Sequence, residues 1–97
     1  MRYEFHPEAL EEYDAAAHYY AAQRPGLDLA FIIRVEEAIE SILDDPCRWR
    51  PFEEDVRRCL LRVFPYAVLY TIEPDFVLIV AVAHCSRAPG YWKHRIV

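Results

Sequence analysis

A chain of 97 residues with 55% hydrophobic and 14% aromatic content is one globular domain, residues 1–97, and excludes a disordered or repetitive polypeptide. Its net charge of −5 excludes tight, non-specific binding to RNA or DNA, which needs many Lys and Arg contacts to phosphate. No window is apolar for long enough to cross a membrane, and Met1-Arg2-Tyr3-Glu4 lacks the apolar core of a signal peptide, so a cytoplasmic protein is expected.

The charge is unevenly placed. Residues 1–47 hold three Arg against eleven Asp and Glu, whereas residues 48–97 hold eight basic side chains against five acidic ones. The acidic half has the character of a solvated helical surface and the basic half that of a modest patch. Cys47, Cys59 and Cys85 are odd in number and share no metal-type spacing, which argues against a disulfide framework or a structural zinc site. Cys59 alternates with apolar neighbours and suits a core position, while Cys85 is the more exposed thiol. A catalytic Cys85–His84 pair is disfavoured, because adjacent strand residues point to opposite faces.

In chain order, Arg2-Tyr3-Glu4-Phe5 alternates polar and aromatic residues and stops at His6-Pro7, as an edge strand does before a helix. Pro7 fits the first helical turn, where its missing N–H costs nothing, and Glu8, Glu11 and Glu12 complement the positive helix end. Leu10, Tyr13, Ala17 and Tyr20 recur at helical spacing and form the expected buried stripe, with Glu11, Glu12, Asp14 and His18 outside. Arg24-Pro25-Gly26 ends this helix near Gln23. A second periodic segment, with Leu27, Phe31, Val35, Ala38, Ile39 and Ile42 on its apolar side, runs to Pro46 and makes an antiparallel helical hairpin with the first.

The stretch from Cys47 to Phe52 reads as a connection, with Trp49 and Phe52 capping the core. From Val56 the period becomes two, placing Cys59, Leu61 and Val63 on one face and Arg58, Leu60, Arg62 and Phe64 on the other. Tyr66 to Ile72 is the next strand, and Glu73-Pro74-Asp75 turns the chain into the most apolar run, Val77 to Ala83. That run, free of Gly and Pro, is a central strand buried on both faces, and it ends abruptly at His84-Cys85-Ser86-Arg87. The architecture is therefore α+β in the order β-α-α-β-β-β, an antiparallel sheet with a helical hairpin on one face.

If the helices cover one face, the other is free to gather Arg57, Arg58, Arg62, His84, Arg87 and Tyr91. Guanidinium groups hold phosphate in planar, bidentate fashion, an imidazole moves a proton, and a phenol can donate one. Those are the ingredients for cleaving RNA by in-line attack of a 2′-hydroxyl, a scheme that needs no metal or other cofactor. The plainer alternatives are surface arginines, a hydrogen-bonded structural His84, and an Arg87 and Tyr91 that anchor the C-terminal segment.

Several separate motifs occur together and in order: Pro7-Glu8-Ala9, Arg24-Pro25-Gly26-Leu27, Arg57-Arg58, the run Phe64-Pro65-Tyr66-Ala67-Val68-Leu69-Tyr70, and Ala81 to Trp92. In them the chain resembles the RelE/ParE superfamily of bacterial type II toxins over nearly its whole length. The resemblance implies a plasmid-stabilisation-type toxin that inhibits growth and is neutralised by a cognate antitoxin in a hetero-oligomer. RelE-like members are ribosome-dependent messenger RNA endonucleases, and ParE-like members bind DNA gyrase. His84, Arg87 and Tyr91 resemble the acid–base and phosphate-binding residues of the nucleases, and Arg57 or Arg58 their strand arginine. Such nucleases are strongly basic, however, and this chain has a single Lys, Lys93. The ParE-like side is therefore favoured, with Arg57, Arg58 and Arg62 as target-binding residues; the nuclease and an inactive antitoxin-binding module are the alternatives.

Overall fold

The elements follow in the order β1 (Arg2–Phe5), α1 (Pro7–Gln23), α2 (Leu27–Asp44), β2 (Pro51–Glu53), β3 (Val56–Leu60), β4 (Tyr66–Ile72) and β5 (Phe76–His84), in a computed structural model that describes residues 1–96. Short 3-10 helices occupy Pro46–Arg48 and Lys93–Ile96. The five strands form one sheet in the order β1-β5-β4-β3-β2, so the most apolar strand has neighbours on both sides. No helix among the described residues is long and apolar enough to cross a membrane.

The sheet is antiparallel, as expected, except at one edge, where β1 pairs with β5 in parallel. The cause is topological. Two helices lie between β1 and the meander β3-β4-β5, and they carry the chain across the sheet before it returns. The segment expected as a mere connection also contributes, since Pro51–Glu53 pairs with Val56 and Arg57.

His6 caps α1, its Nδ1 accepting the Glu8 N–H at 3.1 Å. This helix buries Ala9 and Ala16, with Tyr13, Ala17 and Tyr20 packed beside them, whereas Leu10 is exposed. The stripe thus starts at Ala9, one residue before the expected Leu10. Two small residues set it close against the sheet, and the turn that carries Leu10 points into solvent. Gly26 joins the helices at φ +86°, a left-handed conformation that costs glycine nothing. The apolar side of α2 is as expected: Phe31, Val35, Ala38, Ile39 and Ile42 are all buried. Phe31 sits among the rings of Tyr20, Phe64 and Tyr66, with centroids 5.1, 5.3 and 5.1 Å away. Such a buried ring is worth about 3–5 kcal/mol against alanine.

The period-two pattern of β3 stops at Leu60, sooner than the sequence suggests. Cys59 and Leu61 are buried, but Val63 is 82% exposed and Phe64 joins the core in its place. Val63 adopts φ +76°, and this turn inverts the alternation. Trp49 packs against the helix-side core, while Phe52 is exposed and meets Trp92 edge-on at 5.9 Å.

The sheet face opposite the helices is not free, and here the sequence expectation is corrected. Trp92 is buried among Val56, Ala67, Leu69, Val80, Ala81 and Ala83, with Tyr91 and Ile96 beside it. A second, smaller core therefore lies beneath the C-terminal segment. It explains why β5 is apolar on both faces. Register between β4 and β5 shifts so that Leu69 faces Ala81 and Tyr70 faces Ile79, leaving Val80 as an extra, bulged residue. Val80 and Ala81 consequently join the same cluster.

Candidate functional site

β1 ends at Phe5, so it covers only the first half of the β5 edge. His6 N–H still reaches the Ile79 carbonyl at 2.9 Å, and beyond it the main-chain groups freed by the bulge need other partners. Two side chains supply them. The Val82 N–H donates to Glu12 Oε1 at 3.1 Å, and the Val80 carbonyl accepts from Arg95 Nη1 at 3.1 Å. Arg95 also donates from Nη1 and Nη2 to the two Glu12 oxygens at 2.9 and 3.0 Å, and the Tyr91 hydroxyl donates to Oε2 at 2.6 Å. The Glu12 carboxylate, 15% exposed, and the Arg95 guanidinium, 5% exposed, thus form a bidentate pair at the join of α1, β5 and the C-terminal segment.

Sequence reasoning missed both residues and placed Glu12 outside. A faint signal existed, because Glu12 lies three residues after Ala9 and four before Ala16 and so shares the inward stripe. Nothing in the sequence marks Arg95. Farther out, His94 Nε2 lies 2.9 Å from Glu8 Oε2, and that hydrogen bond holds the Glu8 carboxyl below the usual carboxylate range.

His84 closes β5. Its Nδ1 accepts the Ser86 N–H at 3.0 Å, with Ser86 Oγ 2.7 Å away, which leaves Nε2 to carry the ring proton. Tyr66 meets the imidazole edge-on at 5.1 Å, and the Cys85 N–H bonds to the Pro65 carbonyl at 2.8 Å. The loop leaving the strand is therefore fixed to its neighbour. Arg87 follows, its guanidinium 3.9 Å from the centroid of the Tyr91 ring and 3.9 Å from Glu12 Oε2.

Of the six residues expected to share a site, four do. Arg58, His84, Arg87 and Tyr91 line one pocket of about 200 Å³ together with Phe52 and Trp92. Arg58 lies over the Phe52 ring at 5.0 Å. Arg57 points to the other side of the sheet, where Nη1 donates to the Trp49 carbonyl at 2.5 Å. Arg62 lies past the end of β3, beside Glu37, Ser41 and Asp44 of α2. Strand alternation separates Arg57 from Arg58, and the turn at Val63 separates Arg62 from both.

The pocket offers two guanidinium groups, one imidazole, the Cys85 thiol and the Glu53 carboxylate, which is paired with Lys93, but no free phenol. Burial and the hydrogen bond to Glu12 push Tyr91 above the ordinary phenol range. Among the described residues, no three His, Cys, Asp or Glu side chains converge to hold a metal ion.

The family described as "ParE toxin of type II toxin-antitoxin system, parDE" matches residues 3–89. The chain belongs to the ParE toxin family. Its fold agrees with a solved structure titled "Chromosomal ParDE TA system from P. aeruginosa", at a TM-score of 0.76 and 18% identity over 87% of this chain and 95% of that one. No curated protein sequence matches it. The ParE family match covers the pocket as far as Pro89 and stops short of Tyr91 and Arg95, so the ion pair that locks the C-terminal segment lies half inside and half outside the matched region.

Proposed function

We propose that this ParE-family chain is the toxin of a toxin–antitoxin module that arrests growth by binding a protein target, DNA gyrase being the example the ParE resemblance supplies. A cognate antitoxin keeps it inactive in a toxin–antitoxin complex. One observation carries this reading: Glu12 engages the Tyr91 hydroxyl and the Arg95 guanidinium together. In-line RNA cleavage needs a base for the attacking oxygen and an acid for the leaving one. With Tyr91 held on Glu12 and the Glu53 carboxylate paired with Lys93, His84 and the Cys85 thiol are what remains for proton transfer at the pocket. Arg58 and Arg87 suit carboxylates of a protein partner, where geometry and a few anchoring contacts matter more than a broad positive field.

A ribosome-dependent endonuclease is the second reading, favoured by the convergence of Arg58, His84 and Arg87 on one pocket. The two are separated by adding the purified chain to a gyrase supercoiling assay and to ribosomes translating a defined message. Inhibited supercoiling with intact RNA is the expected result. His84→Ala should then leave inhibition within about threefold, since a binding surface loses little with one rim contact, whereas Arg87→Ala should weaken it about tenfold. Message cleavage that disappears with His84→Ala would establish the nuclease instead. Inactivity in both assays, with antitoxin binding retained, would leave an antitoxin-binding module.

A further inference from the structure

β1 ends the sheet, and its outer side carries no strand. Because the His6 N–H donates to the Ile79 carbonyl, Arg2, Glu4 and His6 turn their main-chain groups toward β5, and Tyr3 and Phe5 turn theirs outward. Among the described residues nothing takes up the Tyr3 or Phe5 N–H and C=O. Such an edge accepts another strand unless its side chains repel one. On one face Arg2 and Glu4 stand exposed and pair with each other, with the Arg2 guanidinium over the Phe76 ring at 5.0 Å. On the other face Tyr3 and Phe5 pack on the helix-side core but are only partly buried. Met1, which alternation places on that same face, is exposed.

We infer that β1 pairs with the same strand of a second copy of this chain, antiparallel about a two-fold axis at Tyr3, joining two five-stranded sheets edge to edge. This contact needs neither an antitoxin nor a target. A two-fold interface must be self-complementary, and the sequence Arg2-Tyr3-Glu4 is. With Tyr3 opposite the partner's Tyr3, the two exchange both main-chain hydrogen bonds. Arg2 then stands opposite the partner's Glu4, and Glu4 opposite the partner's Arg2. These are the non-hydrogen-bonded positions, with Cα atoms about 4.5 Å apart, where facing side chains come closest. On the other face Met1 meets the partner's Phe5, covering apolar surface that a single copy leaves in water. The competing register, centred on Glu4, sets Glu4 against the partner's Glu4 and Arg2 against the partner's His6. Like charges directly opposite destabilise it, so charge selects the register as well as the partner.

The test is sedimentation equilibrium of the full chain, under reducing conditions so that the exposed thiols of Cys47 and Cys85 cannot link copies. A strand this short makes a small interface, so a monomer–dimer equilibrium with a Kd on the order of 10–100 µM is expected. Arg2→Glu or Glu4→Arg alone sets like charges opposite each other on both sides of the axis and should raise that Kd at least about tenfold. The double variant Arg2→Glu/Glu4→Arg restores the pattern and should return to within about threefold of the wild type. Mixing the two single variants should yield a heterodimer about as tight as the wild-type dimer, since each supplies the charges the other lacks. A wild-type chain that stays monomeric up to about 300 µM would overturn the inference. So would a dimer indifferent to both single substitutions, which would place the contact elsewhere. Should a variant fail to fold, amide exchange of the wild type decides: the Tyr3 and Phe5 amides slow with rising protein concentration if β1 pairs, and exchange independent of concentration overturns the pairing.

Discussion

Glu12 is the residue on which the candidate site depends. Its two oxygens accept from Val82, Tyr91 and both terminal nitrogens of Arg95, so removing the carboxylate strands a buried guanidinium and an edge N–H at once. Glu12→Ala is expected to cost about 3–5 kcal/mol, a large part of what a domain this small possesses; urea unfolding measures it. The phenols make a second prediction. Burial pushes Tyr70 up to about 12, and Tyr91 is also raised, by burial and by Glu12. Below the unfolded value of about 10 both states are protonated and the contribution is whole. Above it the unfolded chain ionises first, so stability falls as pH rises through the folded values. Tyrosinate absorbance should lag in the folded protein, and the urea midpoint should drop between about pH 9 and pH 11, less steeply for Tyr91→Phe.

At the scale of elements, helices and strands differ in how openly the sequence declares them. The bounds of α1, α2 and β4 follow from Pro7, Gly26, Pro46 and the turn residues around Pro65 and Pro74, because each breaks a ladder or fixes a dihedral angle locally. β3 was overextended, since Val63 continues a period-two pattern that the backbone abandons. A left-handed valine is invisible to hydropathy. Its φ of +76° carries strain of roughly 1–2 kcal/mol for a non-glycine residue. Val63→Gly should therefore stabilise the isolated toxin by about 0.5–1 kcal/mol after the extra chain entropy of glycine is subtracted. The urea midpoint checks this, and a destabilised variant would mean that the valine side chain contributes packing which its exposure does not suggest.

Over the whole molecule, the C-terminal segment turns a two-layer domain into one with a second small core. Trp92 and Ile96 cover Val56, Leu69 and Val80, and the Glu12–Arg95 pair fastens them. Truncation after Gly90 should expose that sheet face, giving a chain that binds an apolar fluorescent dye and scatters light as it associates, while far-ultraviolet circular dichroism keeps most of its helical signal. A truncated chain that stays monomeric and dye-free would show the cover to be dispensable.

The sequence by itself determined the α+β class, the helical hairpin and its apolar face on α2, and the central strand ending at His84. These rest on local signals: periodicity, caps and breakers. It also grouped Arg58, His84, Arg87 and Tyr91, which do line one pocket, but with Arg57 and Arg62, which do not. Only the tertiary structure decided that β1 runs parallel to β5, that the second face is covered, and that Arg57, Arg58 and Arg62 part company. It alone placed Glu12 against Arg95, residues separated by almost the whole chain. The Glu12–Arg95 contact has its own physical reason. A β-bulge at Val80 and a short β1 leave main-chain groups that must find partners, and what satisfies them is fixed by which segments meet in space.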